Sequence, residues 1–185
     1  MIAPWTNTSG YPLVTASVTN RTLTLTQKRF LVDNMDHADN TLYNIPITFA
    51  SNGTNFNSVA ETTPKFYFEI NKGKSMTYQL PAGQRAYTIL NVQQTGYYRV
   101  NYEKDNWEAI GEALKSANHD DIHVSNRAQI VDDLLNLARP GVVNYEDAFE
   151  IIDYLKDEKN YIPWLSAFTG LGLLQRRMTS SAIIF

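Results

Sequence analysis

Cysteine is absent from the chain. That removes a disulfide framework, a cysteine nucleophile and a thiolate metal site from consideration. It leaves the compartment open, because a secreted protein needs no cysteine. Charge of one sign is also lacking: 16 Lys and Arg stand against 19 Asp and Glu, for a formal net charge of -3. A nucleic-acid binder would want a basic excess or patch. No apolar run reaches the ~18 residues of a membrane span. The chain opens Met1-Ile-Ala-Pro-Trp5 and runs into Thr6, Asn7, Thr8, Ser9 and Gly10, so the apolar stretch of a secretory leader is not there. The tail ends Ala182-Ile183-Ile184-Phe185, too short for an anchor. A Gly-x-Ser-x-Gly elbow, a P-loop, a dinucleotide fingerprint and internal repeats are all missing. What remains is 185 residues that are 43% hydrophobic and 19% charged, enough for one ordinary domain or two small ones with a real core.

The hydrophobic period changes near residue 100. Val14, Ala16 and Val18 alternate with Thr15, Ser17 and Thr19, and Leu23 and Leu25 alternate with threonines beyond a break at Asn20-Arg21. Phe66, Phe68 and Ile70 form a third alternating run. Asn71-Lys-Gly-Lys74 reads as a hairpin turn, with Met76, Tyr78 and Leu80 running back. Thr88–Val92 and Tyr97–Tyr102 supply further strands. The polar span Ser51–Thr63 reads as a long exposed loop. Short strands rich in Thr, Tyr and Val point to a β-sandwich.

Beyond Tyr102 the spacing becomes helical. Trp107, Ile110 and Leu114 share one face. Asn126, with Gln129 three residues on, can cap a second helix, whose stripe is Ile130, Val131, Leu134, Leu135 and Ala138 and which Pro140-Gly141 stops. Asn144 can cap a third helix burying Ala148, Ile151, Ile152 and Leu155. Pro163 opens a fourth with Trp164, Phe168 and Leu171, weakened by Gly170 and Gly172. Strands first and helices second define an α+β chain, all-β then all-α: a β-sandwich over residues 1–102 followed by an antiparallel α-helical array over 103–185.

The candidate chemical signals are few. His119-Asp-Asp-Ile-His123 has the i, i+4 spacing of a helical zinc pair, but it falls between two helices, its acid is Asp120 rather than Glu, and the only other histidine is His37. A solvated connecting loop is the favoured reading. Asp132 and Asp133 are adjacent on a helix, about 100° apart, and are expected not to share a site: one pairs with a neighbouring element and the other is solvated. Arg99 lies in a strand between aromatics and reads as a buried structural ion needing Glu103, Asp105 or Asp133 as partner. A substrate-carboxylate clamp is the other role open to it. Asn7-Thr-Ser, Asn20-Arg-Thr and Asn52-Gly-Thr match the N-glycosylation sequon; Asn52, in the polar loop, is the best placed and Asn20 falls in a tight turn.

Several segments taken together resemble the M1 zinc aminopeptidases, the family of aminopeptidase N. They are Trp5-Thr6 with Gly10-Tyr11-Pro12, Gln27-Lys28-Arg29-Phe30-Leu31, Tyr43 with Ile45-Pro46-Ile47, Gly96-Tyr-Tyr-Arg-Val-Asn-Tyr102 closing at Asn106-Trp107, Asn126-Arg-Ala-Gln-Ile-Val-Asp-Asp133 with Asn136-Leu-Ala-Arg139, and Tyr161-Ile-Pro-Trp164. They are collinear over nearly the whole chain, and the spelling is nearest to insect midgut members. Glu103 stands where the family's block ends in Asp. The resemblance implies a sandwich domain followed by the first helices of a helical C-terminal domain. It also implies that the family's His-Glu-x-x-His zinc site, with its downstream Glu, and its Gly-x-Met-Glu-Asn segment belong to a preceding catalytic domain. No catalytic, cofactor-binding or metal residue of this chain is therefore assigned; zinc would sit in the parent's catalytic domain. Arg99 and Asp133 are assigned structural roles.

Two readings follow. In the first the chain is part of an aminopeptidase, inert alone, supporting the catalytic and lid domains, with Met1 an internal methionine of a longer frame. Its partners are then those domains, with no nucleic acid, and its open apolar helix faces favour self-association. The parent is expected at the cell surface or secreted. In the second the chain is a stand-alone, non-enzymatic sandwich module that binds a protein or glycan.

Overall fold

The structure is a computed structural model that describes residues 3–32, 40–83 and 86–181. Met1, His37 and the tail Ala182-Ile183-Ile184-Phe185 lie outside the described residues. After a short helix α1 (Ala3–Asn7), strands β1 (Tyr11–Thr19) and β2 (Thr22–Phe30) form a hairpin. Its two-residue turn, Asn20-Arg21, has both φ values positive, 48° and 66°, as a turn that follows the right-handed strand twist requires. β3 (Ile45–Ile47), β4 (Phe49–Ser51), β5 (Phe66–Phe68), β6 (Ser75–Gln79), β7 (Thr88–Leu90) and β8 (Arg99–Tyr102) complete the strand-rich half. One sheet runs β6-β2-β1-β8, and two ribbons, β3-β5 and β4-β7, make up the opposing layer. Rings join the layers: Tyr78 of β6 stacks on Phe66 at 4.3 Å and meets Phe49 at 5.8 Å.

Two sequence expectations are corrected here. Asn71–Lys74 does not close a hairpin. β5 pairs with β3 and β6 with β2, so the two runs separated by that turn lie in different layers. Ile70–Lys72 forms a 3₁₀ turn and Gly73 takes φ 72°, which swings the chain from one layer to the other. The alternation of Met76 and Tyr78 is satisfied instead by Leu25 and Leu23, their register partners on β2. The span Ser51–Thr63 is not wholly exposed either: Phe56 is buried and Val59–Thr62 is a 3₁₀ turn. A single ring in a polar segment gives no periodicity from which to read its burial.

The helical half comprises α2 (Lys104–Lys115), α3 (Val124–Ala138), α4 (Tyr145–Ile152) and α5 (Tyr161–Ser181). Asn144 caps α4 as expected, its Oδ1 accepting from the Glu146 amide at 3.0 Å. The cap of α3 is His123, whose Nδ1 accepts from the Ser125 amide at 3.1 Å. Asn126, the sequence candidate, lies inside the first turn and is fully buried. Gly141, at φ 76°, follows the end of α3. Gly170, which weakens α5 as an isolated helix, lets that helix approach α3: a Cβ there would lie 2.5 Å from Leu135 Cδ1. One continuous core runs through both halves, from Leu13 and Leu25 through Val100 and Trp107 to Leu134 and Ile151.

Candidate functional site

Chemistry-bearing side chains concentrate where the sheet meets α3. β8 is the sheet edge beside β1, and α3 crosses it. Arg99, on β8, donates from Nη1 to Asp132 Oδ2 at 2.6 Å and to Asp133 Oδ1 at 2.8 Å, and from Nε to the Tyr11 hydroxyl at 2.8 Å. Its guanidinium carbon lies 5.5 Å from the Tyr11 ring centroid and 5.3 Å from that of Phe30, within cation–π range. Asp133 Oδ2 accepts from the Val100 amide at 3.0 Å and from Gln129 Nε2 at 3.3 Å. Asn136 Nδ2 donates to Asp132 Oδ1 at 3.0 Å. Every oxygen of the two carboxylates is thus engaged.

This arrangement keeps part of the sequence reading and corrects the rest. Arg99 pairs with Asp133, one of the three carboxylates expected of it. Glu103 and Asp105 are not its partners, because the chain turns into α2 directly after β8 and carries them away from α3. Asp132 and Asp133 do share a site: one guanidinium nitrogen reaches both, which the 100° separation on the helix does not prevent. One arginine cannot neutralise two carboxylates. Burial pushes the Asp133 carboxyl up, Arg99 offsets part of this, Asp132 adds to it, and the pKa stands at about 6. Burial opposes the Arg99 charge, but Asp133 and Asp132 outweigh it and its pKa is raised.

Next to this cluster lies a network that sequence reasoning did not find. Asn91, Gln93 and Gln94 all adopt positive φ, at 58°, 56° and 55°. Hydrogen bonds hold them. Asn126 Oδ1 accepts from the Gln93 amide at 2.8 Å while its Nδ2 donates to the Asn91 carbonyl at 3.0 Å. Gln93 Nε2 donates to the Phe56 carbonyl at 2.8 Å. The Tyr102 hydroxyl accepts from the Leu90 amide at 2.9 Å, and Asn106 bonds both backbone groups of Thr88. Asparagine side chains here replace absent strand partners. The clustering of Asn91, Gln93 and Gln94 around a Gly96 turn was the one signal in the sequence.

The His119–His123 segment forms no helical pair. His119–Asp121 is a 3₁₀ turn, and His119 is largely covered, so the segment is not a freely solvated loop. His123 caps α3; burial and the nearby Arg127 lower its pKa. His119, Asp120 and Glu158 do bring ligand atoms within 4.8 Å of one another. Arg127 already occupies the position of the cation. Its Nε donates to Glu158 Oε2 at 2.6 Å, its Nη2 lies 3.2 Å from Glu158 Oε1 and 3.0 Å from Asp120 Oδ1, and Nη1 donates to the Ile122 carbonyl. A divalent ion would have to displace a buried guanidinium from its carboxylates, so these residues do not fit zinc. The three sequon asparagines, Asn7, Asn20 and Asn52, are exposed.

Residues 87–184 match the family model for the ERAP1-like C-terminal domain. The chain is 38% identical to aminopeptidase N of Plutella xylostella over 97% of its own length and 19% of that protein's. It is 39% identical to membrane alanyl aminopeptidase of Heliothis virescens, over 94% and 17%. It is 34% identical to glutamyl aminopeptidase of Mus musculus, over 86% and 16%. The chain belongs to the M1 aminopeptidase family and corresponds to part of its C-terminal region. It spans about a fifth of the length of the curated relatives it matches. No helix among the described residues is long and apolar enough to cross a membrane.

Proposed function

We propose that this chain supplies the sandwich and the opening helices of a zinc-dependent aminopeptidase that removes N-terminal residues from peptides, and that it contributes no bond-cleaving residue. The observation that carries this reading is similarity to aminopeptidases along nearly the whole chain, which spans only a fifth of their length. Within it, residues 1–102 are the sandwich domain and 103–185 the start of the helical domain. The role is mechanical: to hold the catalytic domain and the remaining helices in register. Those domains are the partners, and zinc belongs to the catalytic one. The parent stands at the cell surface or is secreted, with Asn7, Asn20 and Asn52 as glycan acceptors. α5 exposes Tyr161, Leu165, Phe168 and Met178; in the parent further helices cover this face, and the isolated chain associates through it.

The test is the native transcript upstream of the Met1 codon, together with hydrolysis of aminoacyl anilides by the purified chain. A frame continuing into a His-Glu-x-x-His domain, with no turnover by the chain alone, supports the reading. A stop codon ahead of Met1, or turnover that His119→Ala abolishes, refutes it.

A further inference from the structure

A groove lies on the side of α2 that faces α4. It holds about 490 Å³, with Trp107 and Ile151 at its base and Val142 and Val143 on one wall. A second hollow of about 440 Å³ lies between the ends of β1 and β7 and the start of α2. The two share Glu103 and Lys104, so they adjoin at the junction of sheet and helices as two lobes of a candidate channel. Each lobe alone has the size of a ligand site, and together they suit an extended segment.

The charge of the channel is one-sided. Glu103, Asp105, Glu108, Glu112, Asp147 and Glu150 line it, against Lys104 and Lys115. With these set aside, 13 acidic and 14 basic residues remain in the chain, so its whole acidic excess sits here. Lys104 pairs with Glu108 and Lys115 with Glu150, both at 3.6 Å. Glu103, Asp105, Glu112 and Asp147 have no ion pair among the described residues. Helix-terminal carboxylates are ordinary at the starts of α2 and α4. That accounts for Glu103, Asp105 and Asp147 but not for Glu112, which lies mid-helix in the same groove. Concave walls of one sign focus the field on whatever enters.

We propose that this channel is a docking site for a basic, extended segment of a partner polypeptide. Its Lys or Arg side chains would meet Glu103, Glu112 and Asp147, and its apolar residues would lie along Val142, Val143 and the Trp107 edge. Charge complementarity selects the occupant: an acidic segment would add to four uncompensated carboxylates.

The Trp107 indole reports on the base of the channel. Its Nε1–H donates to Asn101 Oδ1 at 3.0 Å, while Trp5 and Trp164 lie elsewhere and serve as internal references. The 15N-labelled full chain is titrated with acetyl-Arg-Leu-Arg-Leu-Lys-amide and, separately, with acetyl-Glu-Leu-Glu-Leu-Glu-amide. The expected result is a saturable shift of the Trp107 indole resonance with the basic peptide only, weakening as salt rises. Glu112→Lys and Asp147→Lys are expected to weaken binding about fivefold or more, while Asp157→Lys, away from the channel, leaves it unchanged. The milder Glu112→Gln guards against misfolding and is expected to weaken binding less than Glu112→Lys. No Trp107 shift, an equal response to the acidic peptide, or equal weakening by Asp157→Lys overturns the proposal.

Discussion

Replacing Arg99 with Met keeps most of the side-chain length and removes the charge that serves two carboxylates. The consequence can be worked from Asp133. Its carboxyl is buried and titrates at about 6 in the fold against 3.8 in the unfolded chain. At about 1.4 kcal/mol per pKa unit, its ionisation already opposes folding by about 3 kcal/mol at pH 8. The stability tied to the neutral carboxyl is fully present below 3.8 and lost as pH rises through about 6. Without Arg99 the Coulombic relief disappears, the folded-state pKa climbs further, and the window of loss moves to higher pH. Breaking a buried pair from one side costs about 3–5 kcal/mol. Arg99→Met is therefore expected to lose about 4 kcal/mol at pH 8, and at pH 5 no more than about half of that, because Asp133 takes up a proton. The assay is urea unfolding followed by tryptophan fluorescence at both pH values, with Asp133→Asn and the double variant completing a cycle. The double variant should lose less than the sum of the singles. An equal loss at pH 8 and pH 5, or strict additivity, would refute the assignment of the cost to a stranded Asp133 charge.

Glycine gives a paired prediction within one helix. Gly172→Ala, with nothing within 4 Å of the new Cβ, should stabilise by about 0.5–1 kcal/mol. Gly170→Ala, which drives a methyl into Leu135, should destabilise by about 1–3 kcal/mol in the same denaturation series. Arg127→Met should cost about 3–5 kcal/mol by leaving Glu158 buried without its partner; zinc should not restore the melting temperature, and restoration would revive the metal reading. His123→Ala should lose about 0.5–2 kcal/mol of stability with the α3 cap, measured by thermal melting.

The parts legible in the sequence were those with a repeating physical cause. Period-two alternation marked β1 and β2, and period 3.6 marked the faces of α2, α3 and α4, because burial of one face recurs at a fixed spacing. Asn144 was legible as a cap because capping acts over two residues. The errors came from contacts with no local signature. The Asn71–Lys74 segment has the composition of a hairpin turn, yet the strands on either side find partners in different layers. That Asp132 and Asp133 share one partner is not legible, because helix geometry describes only where side chains point on their own helix. It does not reveal a guanidinium arriving from a strand 33 residues earlier. Asn126 has the residue type of a cap, but tertiary demand for its amide at Asn91 and Gln93 decides otherwise.

That last competition bears on what the chain is for. Three non-glycine residues at positive φ in four positions store strain, of order 1–3 kcal/mol each, and such geometry persists only where the surroundings over-determine it. Here the surroundings belong to both halves: Thr48 and Phe56 from the strand-rich part, Asn126 from α3. The Arg99 cluster sits one strand away, on the same helix, and the core is continuous beneath both. A hinge would want few crossing contacts and backbone groups solvated at the pivot. The junction between β8 and α3 has the reverse: a buried charge cluster, amide-for-backbone substitutions and a shared core. Relative motion of sandwich and opening helices would have to break all three together. The sandwich and the opening helices are therefore expected to move as one body.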